Sequence, residues 1–125
     1  MELEGMEQLI QRIEQMGKLG ARVENKALKK AGQIIVEEAK NNVPVKTGKL
    51  KEGLKVSGVR KKNGNKFVLA GIQKGDNSKI FYGKFLEFGT SRQNAKPFMA
   101  PAYESKKNEA KEIIKQELRN ALKLG

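Results

Sequence analysis

The sequence predicts an α+β fold, on three observations. Helical amphipathic periodicity marks both ends of the chain, the centre carries two strand-like runs flanking Asn63-Gly64, and Val43-Pro44 separates the amino-terminal helical region from that centre. The expected architecture is a small, mostly antiparallel sheet packed with two amino-terminal helices and one long carboxy-terminal helix, in a single domain over residues 1–125. A chain of 125 residues is about the size of one ordinary domain, with little surplus for a second core. Hydrophobic residues make up 38% and charged residues 32%, a composition that suits a subunit completing its burial by oligomerising.

The first helix is expected from Met6 to Met16, because Met6, Leu9, Ile10, Ile13 and Met16 recur at three- and four-residue steps, and Gly17 and Gly20 punctuate it. Glu2, Glu4 and Glu7 lie near its positive amino-terminal end. A second helix is expected over Ala21 to Lys40, with Val23, Ala27, Ala31, Ile34, Ile35 and Ala39 on one side. Val43 precedes a proline and so avoids helical angles, which stops this helix in an extended segment.

Leu54 to Val59 and Lys66 to Ile72 read as strands, and Asn63-Gly64 between them fits a tight hairpin turn because both residues tolerate positive φ. Phe67-Val68-Leu69-Ala70 is apolar at every position, which suggests a strand covered on both sides. Gln73 to Lys79 is expected to be a polar loop. The run Ile80 to Thr90 holds four of the seven aromatic residues. Phe81, Phe85 and Phe88 have helical spacing, so a short helix ended by Gly89 is expected, although so apolar a run also suits a buried strand. After a polar loop over Ser91 to Lys96, Pro97 and Pro101 bracket Phe98-Met99-Ala100 and open the long last helix. Its apolar face is Tyr103, Ala110, Ile113, Ile114, Leu118, Ala121 and Leu122.

Charge and composition narrow the function. Lys and Arg number 26 against 14 Asp and Glu, a net charge of +12 that attracts polyanions. The excess is concentrated between Lys40 and Lys66, where Lys46, Lys49, Lys51, Lys55, Arg60, Lys61 and Lys62 are opposed by Glu52 alone. With no cysteine, disulfides, thiolate nucleophiles and cysteine-based zinc sites are out of reach. Histidine is absent as well, which removes the commonest general base near neutral pH and the commonest transition-metal ligand. Asp76 is the only aspartate, so a carboxylate-rich two-metal nuclease site is not expected either. The acidic start Met1-Glu2-Leu3-Glu4-Gly5 does not look like a secretory signal, and no stretch approaches membrane-spanning length. The expected place of synthesis is the cytoplasm; no enzyme activity, cofactor, metal or membrane partner is expected.

Two motifs remain. One is Val43-Pro44-Val45-Lys46-Thr47-Gly48-Lys49-Leu50; the other is Tyr82-Gly83-Lys84-Phe85-Leu86-Glu87-Phe88-Gly89-Thr90, followed by Ala95-Lys96-Pro97-Phe98-Met99-Ala100-Pro101-Ala102. Together, in this order and over nearly the whole chain, they resemble the phage tail-component family typified by the tenth gene product of phage Hong Kong ninety-seven. Members of that family read P-x-x-T-G-x-L after an amino-terminal helix, then a hairpin, then Y-x-x-x-x-E-x-G-T and a P-F motif opening a terminal helix. Gly83 stands where alanine is more usual, a small-for-small change. The resemblance implies a structural virion-assembly protein of a tailed phage or prophage. It would act at the head-tail junction or tail as an oligomeric, ring-forming subunit beside other neck or tail proteins, and be made in the cytoplasm of the bacterial host.

Each motif residue has a structural reading beside a functional one. Pro44 fixes an extended backbone, Gly48 reaches angles closed to other residues, and Thr47 can cap a short helical turn through Leu50 to Leu54. A phosphate-binding loop over Thr47-Gly48-Lys49 fails at both ends, because it needs glycine at Val43 and serine or threonine at Leu50. Glu87 among Phe85, Leu86 and Phe88 could be a general acid raised by burial, but no catalytic partner accompanies it, and a packing or interface role is expected for it as for Tyr82, Gly89, Thr90 and Pro97. Phe98 and Met99, beside a polar loop, are the candidate subunit interface. The alternative function is a basic nucleic-acid-binding protein, in which Lys49, Lys51, Lys55, Arg60, Lys61, Lys62 and Lys66 face DNA phosphates without reading sequence. A small basic toxin or nuclease is a third class, and the missing histidine weighs against it.

Overall fold

A computed structural model of the chain describes residues 2–42, 53–72, 77–82, 88–89 and 99–124, with side chains described for residues 7–42, 53–71 and 101–123. In chain order the elements are α1 (Glu2–Glu14), α2 (Lys18–Asn42), β1 (Leu54–Val56), β2 (Arg60–Lys62), β3 (Asn65–Ile72), β4 (Asn77–Tyr82), β5 (Phe88–Gly89) and α3 (Met99–Leu124). The fold is α+β, with two helices before the sheet and one long helix after it. All strand pairings are antiparallel, in the order β1-β3-β4-β5, and β2 also pairs with β3.

α1 ends because the chain tightens and reverses. The Met16 amide donates to the Ile13 carbonyl at 2.9 Å, the Gly17 amide donates to Glu14 at 3.2 Å, and Gly17 takes φ +65°, where a side chain is strained. Three residues later Gly20 lies so close to α1 that an added Cβ would collide with the Ile13 carbonyl oxygen. This close approach seats Ile10 and Ile13 in the core against α2 and α3.

α2 is the central element, with α3 along one side and β1 and β3 along another. That double cover explains why its buried set (Gly20, Glu24, Ala27, Leu28, Ala31, Gly32, Ile35, Val36 and Ala39) is wider than one helical stripe. Gly32 is where the sheet comes closest: a Cβ there would stand 3.0 Å from Val56 Cγ1 and 3.2 Å from Val68 Cγ2. On α3, Ala102, Tyr103, Ala110, Ile114 and Leu118 complete the core. Burial, and after it the Glu104 carboxylate, push the Tyr103 phenol above its usual pKa. The Lys107 ammonium lies over the Tyr103 ring, 5.9 Å from its centre.

Three expectations about the sheet are corrected. Residues 77–79 belong to β4 rather than to a loop, and Ile80, Phe81 and Tyr82 continue that strand instead of opening a short helix; Phe88 and Gly89 form β5. The physical reason is pairing. From Lys66↔Tyr82 to Gly71↔Asn77, β4 docks along β3 over six positions, and this ladder outweighs the helical spacing of a short apolar run that fits either state. The strand expected over Leu54 to Val59 stops at Val56, and a second short strand, β2, carries the chain to the turn.

Candidate functional site

The basic hairpin is built by two local devices. At its tip Asn63 and Gly64 have φ +53° and +81° between the closing pair Lys62 and Asn65. Positive φ at both central residues gives a turn whose twist matches the flanking strands. At its base the register slips by one residue. Val56 pairs with Ala70 and Arg60 with Phe67, so residues 57–59 face only residues 68–69, three against two. This is a β-bulge.

Ser57 stitches the bulge. Its amide donates to the Leu69 carbonyl at 2.9 Å, while its hydroxyl oxygen accepts from the Leu69 amide at 2.9 Å and donates to the Gly58 carbonyl at 2.7 Å. The side chain therefore substitutes for the backbone acceptor that the bulge displaces, and the part-buried Leu69 amide keeps a partner.

The bulge decides which bases point where. Val56 and Val68 face α2, since both meet Gly32. Strict alternation from Val56 would place Arg60 and Lys62 on that same inner face and Lys61 outside. The extra residue reverses this: Lys61 shares the inner face with its partner Lys66, and Arg60 and Lys62, opposite Phe67 and Asn65, lie on the outer one. Lys55, opposite Gly71, also lies on the outer face, before the bulge. Phe67 is buried but stands apart from the helix-facing core cluster, as its outward register requires.

Of the two inner bases, Lys66 meets a carboxylate. Lys66 Nζ lies 2.8 Å from Glu24 Oε1 and donates to Asn25 Oδ1 at 3.1 Å, and the two charged side chains are only 16% and 7% exposed. Lys66 and Lys61 line a cavity of about 240 Å³ with Glu14, Glu24, Ile10, Gly17, Ala21 and Gly64. Lys66 thus holds the hairpin to α2, whereas sequence reasoning placed it with the DNA-facing bases. Arg60, Lys61 and Lys62 are exposed and form no ion pair among the described residues; Lys55 is exposed.

Of the other residues singled out in the sequence, Tyr82 sits in β4 opposite Lys66, Gly89 in β5 opposite Lys79, and Met99 opens α3. Pro44, Thr47, Gly48, Lys49, Leu50, Lys51, Glu87, Thr90, Pro97 and Phe98 lie outside the described residues. Glu24, Asn25 and Ser57 were not foreseen. Glu24 had a signal: it falls four residues before Leu28 and three before Ala27, on the apolar face of α2, where a carboxylate needs a partner. Among the described residues no group of histidine, cysteine or carboxylate side chains could hold a metal ion, and no helix is long and apolar enough to cross a membrane.

Residues 7–89, which carry most of α1, all of α2 and the sheet, match the family model described as Bacteriophage HK97-gp10, putative tail-component. No curated protein and no solved structure matches the chain.

Proposed function

The chain belongs to the bacteriophage HK97-gp10 tail-component family, and on that basis we propose that it is a structural, non-catalytic subunit of a tailed-phage virion. It assembles with copies of itself into a ring at the head-tail junction or in the tail, against other neck or tail proteins. The family match over residues 7–89 carries this reading. Leu19, 55% exposed, lines a depression with Arg12, Gln15, Met16 and Leu122, a mixed apolar and polar surface of the kind a neighbouring subunit would cover.

The test joins two measurements. Light scattering on the purified chain is expected to give a mass several times that of the monomer, and labelling of purified virions with an antibody to this chain is expected to mark one end of the tail. A chain that stays monomeric at every concentration and is missing from particles and assembly intermediates overturns the proposal.

A further inference from the structure

We propose that the outer face of the hairpin, Arg60 and Lys62 beside the Asn63 tip, is a sequence-independent contact for the phosphates of duplex DNA. The bulge at residues 57–59 turns these two bases away from α2, and neither has an ion partner among the described residues. Lys66, on the other face, already has Glu24 and Asn25. The fold thus separates a charge used for cohesion from charges left for a partner.

The chemistry of this face suits phosphate. Arg60 offers a planar fork for two phosphate oxygens and Lys62 a compact ammonium. As alternate residues of one strand they stand about 6.8 Å apart along it, of the order of the spacing between successive phosphates on a nucleic-acid strand. The two-residue turn and the Ser57 stitch hold that spacing in advance, which lowers the ordering cost of binding. Residues 60–66 contain no aromatic side chain on which a base could stack, so the contact reads charge and not sequence. The net charge of +12 draws the polyanion in.

The experiment is a titration of the full chain against a labelled duplex of arbitrary sequence across a series of salt concentrations. It compares wild type, Arg60→Gln/Lys62→Gln, and the charge-matched control Arg119→Gln/Lys123→Gln, whose sites on α3 are also exposed. Wild type is expected to bind with an affinity that falls steeply with salt. The hairpin variant loses about 1.8 from the slope of log affinity against log salt, at roughly 0.9 per phosphate contact, and on the order of tenfold or more in affinity at low salt. The control loses clearly less, a second duplex of different sequence binds equally well, and both variants melt like wild type. No binding by wild type at low salt, or equal losses in the two variants, overturns the proposal. So does a hairpin variant that keeps its DNA affinity but changes mass in light scattering, which makes this face a contact with the acidic surface of another copy. The virion reading is tested separately by particle labelling and survives any of these outcomes.

Discussion

Lys62 and Lys66 stand four residues apart in one hairpin and have opposite fates. Lys62 is exposed with no ion partner among the described residues, whereas Lys66 is clamped to Glu24 at 2.8 Å with Asn25 beside it. Residue type does not distinguish them. The face of the sheet does: Lys66 shares the inner face of β3 with Val68, and a one-residue slip between Val56↔Ala70 and Arg60↔Phe67 turns Lys62 to the outer one. A bulge in a short strand can thus divide a run of bases into one that binds the fold together and others that are presented outward.

The sharpest break of this contrast is Lys66→Met. It leaves the Glu24 carboxylate, 7% exposed, without its cation, and is expected to cost about 3 kcal/mol in urea unfolding, against less than about 0.5 kcal/mol for Lys62→Met. Equal costs would mean that the two faces do not differ energetically. Combining Glu24→Leu with Lys66→Met should restore much of the loss, because an apolar pair avoids the desolvation that the ions incur.

Ser57→Ala tests the bulge itself. Removing the hydroxyl of the buried Ser57 strips the part-buried Leu69 amide of its acceptor, for a cost of about 1 kcal/mol, and hydrogen exchange at that amide should speed up. Unchanged protection of the Leu69 amide would show that the hydroxyl is not what holds the slip in place.

A much smaller effect than that of Lys66→Met is expected for Glu117→Gln. Its pair with Lys30 is as short as the buried one, 2.7 Å, but the two side chains are 20% and 50% exposed, so water screens the charges and the loss should be about 0.5 kcal/mol. A cost comparable with that of Lys66→Met would show that distance, and not burial, sets the strength of these pairs.

The helices were readable because their signal is periodic and local. Ile10, Ile13, Ala27, Ala31, Ile35, Ala39, Ile114 and Leu118 are buried where their spacing puts them. The Asn63-Gly64 turn was readable for the same kind of reason, since only a few residue types accept its angles. Ile80 to Tyr82 misled because a short apolar run suits helix and strand equally, and only the neighbouring β3 decides between them. In the candidate site, the exposed bases at Arg60, Lys61 and Lys62 were legible as charge. The inward course of Lys66 was not, because its partner Glu24 lies 42 positions away in sequence.

The sequence by itself determined the α+β class, the three helices, the hairpin turn and the family to which the chain belongs, all of which depend on patterns spanning a few neighbouring residues or on motifs in order. Tertiary structure alone decided that β4 is a strand, that Gly20 and Gly32 are points of closest approach, and which bases of the hairpin face outward. Each of these depends on a partner in another element: β3 for β4, Ile13 of α1 for Gly20, Val56 and Val68 for Gly32, Glu24 for Lys66. Side-chain direction in a strand inverts with every single-residue shift of register, so it is set only when the paired strand and the helix beneath it are in place.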